Sequence, residues 1–124
     1  MMIENLKKFV YPVCNTALQA GKILIKYYNS ESKILLKKDN SPLTQADLES
    51  DQLIKNLLIK LDIKIPILTE ESLVDWKIRK EWKTYWLVDP LDGTKEFIKK
   101  NDEFTVNIAL LEKNNPIFGV VFAP

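Results

Sequence analysis

The sequence predicts an α+β fold, two long helices packed on one side of a mostly antiparallel sheet. Three observations lead there. Apolar residues recur at three- and four-residue steps through the first half, and runs rich in β-branched and aromatic residues take over after Pro66. The two patterns are also segregated along the chain instead of alternating. A length of 124 residues suits one unit with its own core, so 1–124 is read as a single domain.

Leu6, Val10, Val13, Ala17, Ala20 and Leu24, then Tyr27 or Tyr28, mark one face of a first amphipathic helix. Pro12 is harmless if this helix begins near Phe9, because first-turn N–H groups have no partners to lose. Gly21 costs about 1 kcal/mol relative to Ala inside a helix, so its presence predicts the close approach of another element. Asn29-Ser30-Glu31-Ser32 ends the helix, residues 33–39 form a weak strand, and Asn40-Ser41-Pro42 makes a turn. A second helix presents Leu48, Ile54, Leu57, Leu58 and Leu61, and it opens on Thr44 and Asp47 at capping-box spacing. Strands follow at 65–69, 84–88, 104–111 and 117–122, the last after the turn Lys113-Asn114-Asn115-Pro116. Trp76, Trp82 and Trp86 read as core or surface anchors, and Cys14 as a small buried residue of the first helix.

Composition narrows the chemistry. Lys and Arg number 18 against 17 for Asp and Glu, a net charge of +1, which argues against a nucleic-acid polymer as partner. With no histidine and one cysteine, Cys/His zinc sites, internal disulfides and Ser–His or Cys–His catalysis are all excluded. Any metal must therefore be held by oxygen. No apolar stretch reaches membrane-span length, and Met1 to Lys8 lack the basic-then-apolar order of a signal peptide. The expected location is cytoplasmic, with peripheral association with the inner membrane left open.

The informative segment is Trp86-Leu87-Val88-Asp89-Pro90-Leu91-Asp92-Gly93-Thr94-Lys95-Glu96-Phe97. An apolar strand is expected to stop at Asp89, because Pro90 blocks its continuation and forces a bend. In such a bend Asp89 and Asp92 can face one cation, and with oxygen ligands only, Mg²⁺ is the natural choice. Gly93-Thr94 then opens a short helix over 94–99, whose first N–H groups offer a seat for phosphate. Asp-Pro and Asp-Gly also serve as plain turn-formers. Metal ligands beside an anion seat are nevertheless what metal-assisted phosphate-ester hydrolysis requires. Glu70-Glu71 also follows a short apolar strand, from which an adjacent strand end would bring a third carboxylate.

These residues resemble the inositol monophosphatase family, and most closely its CysQ-type 3′(2′),5′-bisphosphate nucleotidase branch. The resemblance is carried by Lys38-Asp39-Asn40-Ser41-Pro42-Leu43-Thr44-Gln45-Ala46-Asp47, by Leu68-Thr69-Glu70-Glu71, and by Trp86 through Ile98. Glu103 through Leu110 and Gly119 through Pro124 extend it over essentially the whole chain. It implies the N-terminal, metal-binding half of that family's αβαβα sandwich. It also implies that Glu70 and Asp89, with the Leu91 carbonyl, hold a first Mg²⁺, and that Asp89 and Asp92 hold a second. Gly93 and Thr94 N–H groups would bind the substrate phosphate. Asp47, Thr94 and Glu70 would be catalytic, the Thr94 hydroxyl being oriented by Asp47 to activate the attacking water. Asp47 and Thr94 have alternative uses as helix caps. Glu71 is read as a supporting acid, with a merely solvated side chain as the alternative, and Lys38 and Lys95 as solvated surface lysines, with a phosphate contact as theirs.

The family's second half carries a Trp-Asp-x-Ala-Ala-Gly motif that this sequence lacks, since no tryptophan here is followed by aspartate. The expectation is therefore a shortened Mg²⁺-dependent phosphomonoesterase acting on a small phosphorylated substrate of the 3′-phosphoadenosine 5′-phosphate type. The competing expectation is a non-catalytic gene remnant, or one half of a two-chain enzyme with a complementary C-terminal chain, that binds metal and phosphate weakly. Either way an exposed apolar face is expected.

Overall fold

A computed structural model of the chain describes residues 3–29, 34–36 and 42–124. Helix α1 (Ile3–Tyr28) begins well before Phe9, so Pro12 lies inside it and not in its first turn, a correction to the expected start. The proline forgoes one backbone bond, to the carbonyl of Lys8, a residue on the solvent side. Thr16 Oγ1 donates to Pro12 O at 2.8 Å. The buried stripe is Phe9, Val13, Ala17, Ala20 and Leu24, whereas Val10 is 41% exposed. Phe9 takes the expected place of Val10 because its ring meets Trp86 edge-on, at 5.5 Å between centroids. Gly21 does permit a close approach: a Cβ there would stand 2.9 Å from Cδ2 of Phe122.

Helix α2 (Gln45–Leu61) opens on the capping box anticipated for Thr44 and Asp47. Its inner face differs from the expectation. Ile54 and Leu58 are buried, but Leu48 is 37% exposed, and Asp47, Ser50 and Asp51 occupy the inner positions instead. Cys14 is half-buried. Strands β1 (Ile34–Leu36) and β2 (Pro42–Thr44) pair antiparallel, so Pro42 starts a strand rather than completing a turn. Ser30, Glu31, Ser32, Lys38, Asp39, Asn40 and Ser41 lie outside the described residues.

The main sheet contains β3 (Ile67–Thr69), β4 (Thr84–Asp92), β5 (Thr105–Glu112) and β6 (Asn115–Phe122), side by side in that order. Strand β3 runs parallel to β4, and the other two pairings are antiparallel. Short helices α3 (Trp76–Arg79) and α4 (Thr94–Lys99) precede and follow β4. Helix α3 was not anticipated; Asp75, which caps it by accepting from Lys77 N at 3.3 Å, is its sequence signal. The last hairpin turns on Lys113 and Asn114 alone, both at positive φ, and Pro116 falls within edge strand β6, where a missing donor is tolerated. Helices α1 and α2 cover one face of the sheet, against Trp86, Val88, Val106, Ile108 and Leu110. The opposite face is exposed and apolar at Leu87 and Val121.

Strand β4 does not stop at Asp89. It runs through Pro90 to Asp92, and the ladder with β5 passes from Asp89↔Asn107 directly to Asp92↔Thr105. Three steps on β4 thus match two on β5, which is a β-bulge. Pro90 sits inside the bulge, where no ladder bond is required of it. The extra residue also reverses the in-out alternation, so Asp92 emerges on the same face as Asp89.

Candidate functional site

The acidic site lies where β3 and β4 end. Because these strands are parallel, with Thr69 opposite Val88, their last residues come out together and set Glu70 beside Asp89. Glu70 N continues the ladder by donating to Val88 O at 3.3 Å. Asp89 is half-buried, and its Oδ1 is buried without a hydrogen-bond partner. Burial pushes the Asp89 carboxyl up to about 7, helped by its hydrogen bond with Glu70 and the charges of Glu70 and Asp92; the Leu91 N–H pulls the other way. Glu70 and Asp92 thus both act on Asp89. Among the described residues, no three His, Cys, Asp or Glu side chains converge as one ready-made cluster.

Asp92 accepts from Asn107 Nδ2 at 3.2 Å, and Asn107 is in turn held by Thr105 Oγ1 at 3.0 Å. Asn107 falls in the Glu103-to-Leu110 stretch, to which the sequence assigns no site role. Its signal was available: a lone amide between Val106 and Ile108, on a strand otherwise built for burial. Ser50 was also missed. It is fully buried and donates to Pro90 O at 2.8 Å, tying α2 to the bulge. Its signal is a position three residues after Asp47 on the same helix face.

Gly93 makes the corner from β4 into α4. Its φ is +90°, and a Cβ there would lie 2.7 Å from Glu103 O, so only glycine fits. Without a side chain, Gly93 leaves the first turn of α4 uncapped. Phe97 anchors that helix by burying its ring against Phe104, centroids 5.1 Å apart, with Tyr28 of α1 packed at a tilt against both. Thr94 Oγ1 lies 3.0 Å from Asp47 Oδ1 and 3.3 Å from the Leu91 carbonyl. Asp47, fully buried, uses its other oxygen to accept from Thr44 N at 2.9 Å and Thr44 Oγ1 at 2.5 Å. One carboxylate therefore serves the helix cap and Thr94 together. Glu71 is half-buried, and Lys95 is exposed on α4.

Two grooves flank Asp89 and Asp92. One, of about 390 Å³, runs from Glu70, Asp89 and Asn107 along Leu68 and Leu87 on the open sheet face. The other, of about 480 Å³, is dominated by acids: Asp92, Glu96, Asp102 and Glu103 surround Gly93. A phosphate ester entering there meets like charge, which only cations offset.

Comparison with known proteins agrees with this architecture. Residues 5–124 match the model of the inositol monophosphatase family. The 3′(2′),5′-bisphosphate nucleotidase CysQ of Buchnera aphidicola is 46% identical over 125 residues, covering 98% of this chain and 47% of that protein. The crystal structure of CysQ from Bacteroides thetaiotaomicron superposes with a TM-score of 0.77 at 43% identity, covering 91% of this chain and 41% of its own. An IMPase/NADP phosphatase complexed with Mg²⁺ and phosphate shares the fold, with a TM-score of 0.81 at 21% identity over 96% of this chain and 45% of its own. The chain spans about half the length of the curated relatives it matches. With the paired strand ends, the bulge and the matched residues in agreement, the chain belongs to the inositol monophosphatase family.

Proposed function

We propose that the chain carries the metal- and phosphate-binding part of a Mg²⁺-dependent phosphomonoesterase of the 3′(2′),5′-bisphosphate nucleotidase type. The reaction is adenosine 3′,5′-bisphosphate plus water to AMP and phosphate, the P–O3′ bond breaking as water oxygen bonds to phosphorus and the released 3′-oxygen leaving as the hydroxyl. One observation carries the reading: Asp89, on which Glu70 and Asp92 both act, keeps a buried, unpartnered oxygen. Acids held together in this way are costly to ionise unless a cation sits among them.

The donor set fits Mg²⁺. That ion takes one or two carboxylates and completes its shell with water and substrate oxygens, so it needs no three-carboxylate cluster. On this reading Glu70, Asp89 and the Leu91 carbonyl would hold one ion, and Asp89 and Asp92 a second. Asn107 would steady Asp92 through the bond from its Nδ2. Bound Mg²⁺ supplies Lewis acidity and neutralises phosphoryl charge. Gly93 and Thr94 N–H groups orient the phosphate. The proton is moved by the chain itself: Thr94 Oγ1 accepts one from the attacking water while passing its own to Asp47 Oδ1, 3.0 Å away. Asp47 is held for that task by its two bonds from Thr44.

The choice of nucleotide rests on the CysQ relatives. A cytoplasmic location belongs to the same reading; no helix among the described residues is long and apolar enough to cross a membrane. The test is Mg²⁺ titration by calorimetry, paired with phosphate release from adenosine 3′,5′-bisphosphate. Weak Mg²⁺ binding, lost in Asp89→Asn, is expected; equal binding by that variant removes the metal reading. Phosphate release is measured for this chain alone and with a polypeptide matching the remaining part of the CysQ relatives. Release only from the mixture identifies a two-chain catalyst, and release from neither leaves a non-catalytic binding protein.

A further inference from the structure

We infer that Lys55 and Ser72 form a strut from α2 that positions Glu70 for its cation, an inference that rests on the metal-holding role proposed for Glu70. Glu70 and Glu71 occupy the two central places of a tight turn, closed by Ser72 N donating to Thr69 O at 3.3 Å. Ser72 is where this turn meets the helix layer. Lys55 Nζ donates to Ser72 Oγ at 2.7 Å and pairs with Asp51 Oδ2 at 3.2 Å.

Asp51 makes the strut firm. It is only 5% exposed, and its other oxygen is buried without a partner, so losing Lys55 would leave a buried carboxylate without its ion pair. A lysine held one helical turn from a buried acid cannot swing into solvent at small cost. Its remaining N–H groups reach across to Ser72 instead. The direction of the Glu70 side chain is thereby set from α2, the same helix that supplies Asp47 to Thr94 and Ser50 to Pro90. Lys55 and Ser72 are positioning residues, since neither is assigned to metal or substrate.

Ser72→Ala is the informative variant, because removing Lys55 would strand Asp51 and endanger folding. Calorimetric titration of the full chain with MgCl₂ should show affinity reduced about tenfold, the lower end for a residue that orients a metal ligand. Its melting temperature should barely move, and Ser72→Thr, which keeps the hydroxyl, should restore binding. In the metal-free chain, the amides of Glu70 and of residue 72 should exchange with solvent faster in Ser72→Ala than in wild type. Wild-type affinity in Ser72→Ala, or unchanged exchange, overturns the strut while Glu70→Gln still weakens binding. Undiminished binding by Glu70→Gln removes the metal reading of Glu70, and this inference with it.

Discussion

Both long helices lie on the same sheet, yet they bury different chemistry. Helix α1 contributes Phe9, Val13, Ala17, Ala20 and Leu24, and its one buried hydroxyl, Thr16, is satisfied within the helix by Pro12 O. The first half of α2 buries Asp47, Ser50 and Asp51, each joined to something beyond its own apolar stripe. Asp47 meets Thr94, Ser50 meets the Pro90 carbonyl, and Asp51 acts through Lys55 on Ser72. Helix α1 therefore supplies cohesion. Helix α2 supplies orientation and accepts the desolvation of polar groups to do so. The polar half of α2 also faces the end of β4, where the chain must be held in a bulge and a left-handed corner.

The sharpest way to break this contrast is to cut the apolar stripe. Leu24→Ala should cost about 3 kcal/mol of unfolding free energy, measured by urea titration, because Leu24 is fully buried. Mg²⁺ affinity of the molecules that remain folded should be unchanged; a coupled loss would show that α1 also orients the site. Next in size is Asp47→Asn. It retains part of the cap and should cost about 1 kcal/mol in stability. In whichever preparation hydrolyses adenosine 3′,5′-bisphosphate, turnover should fall about 100-fold. A rate loss no larger than the stability loss would reduce Asp47 to a capping residue.

The third test concerns pH. Without metal, Asp89 titrates at about 7 in the folded chain against an ordinary 3.8, so the folded state prefers the protonated form. That contribution is complete below the ordinary value and is lost as pH rises through about 7. Thermal melts without metal should therefore show stability declining toward neutral pH. Asp89→Asn should flatten the decline, and Leu24→Ala should leave its slope alone. An unchanged slope in Asp89→Asn would place the titrating group elsewhere.

Much of this architecture was legible locally. The three- and four-residue spacing from Val13 to Leu24 found α1, and Thr44 with Asp47 found the start of α2. The Asp89-to-Thr94 run marked the acidic segment and the short helix after it before any strand was paired. Leu48 misled because a leucine at helical spacing reads as core, whereas the inner positions belong to shorter polar residues with partners across the layer. Pro90 misled for a related reason. Proline ends a strand that needs its N–H, but the bulge opposite Asn107 and Thr105 makes no such demand.

The sequence by itself determined the helical periods, the restriction to oxygen ligands, the short helix after Gly93 and the family. The tertiary structure decided that β3 lies parallel to β4, that Asp92 joins Asp89 on one face, and that α2 turns Asp47, Ser50 and Asp51 inward. The physical reason is range. Periodicity and turn chemistry act between neighbours a few residues apart, so they are written locally. Strand register and the pairing of buried polar groups are settled only when distant segments compete for the same partners.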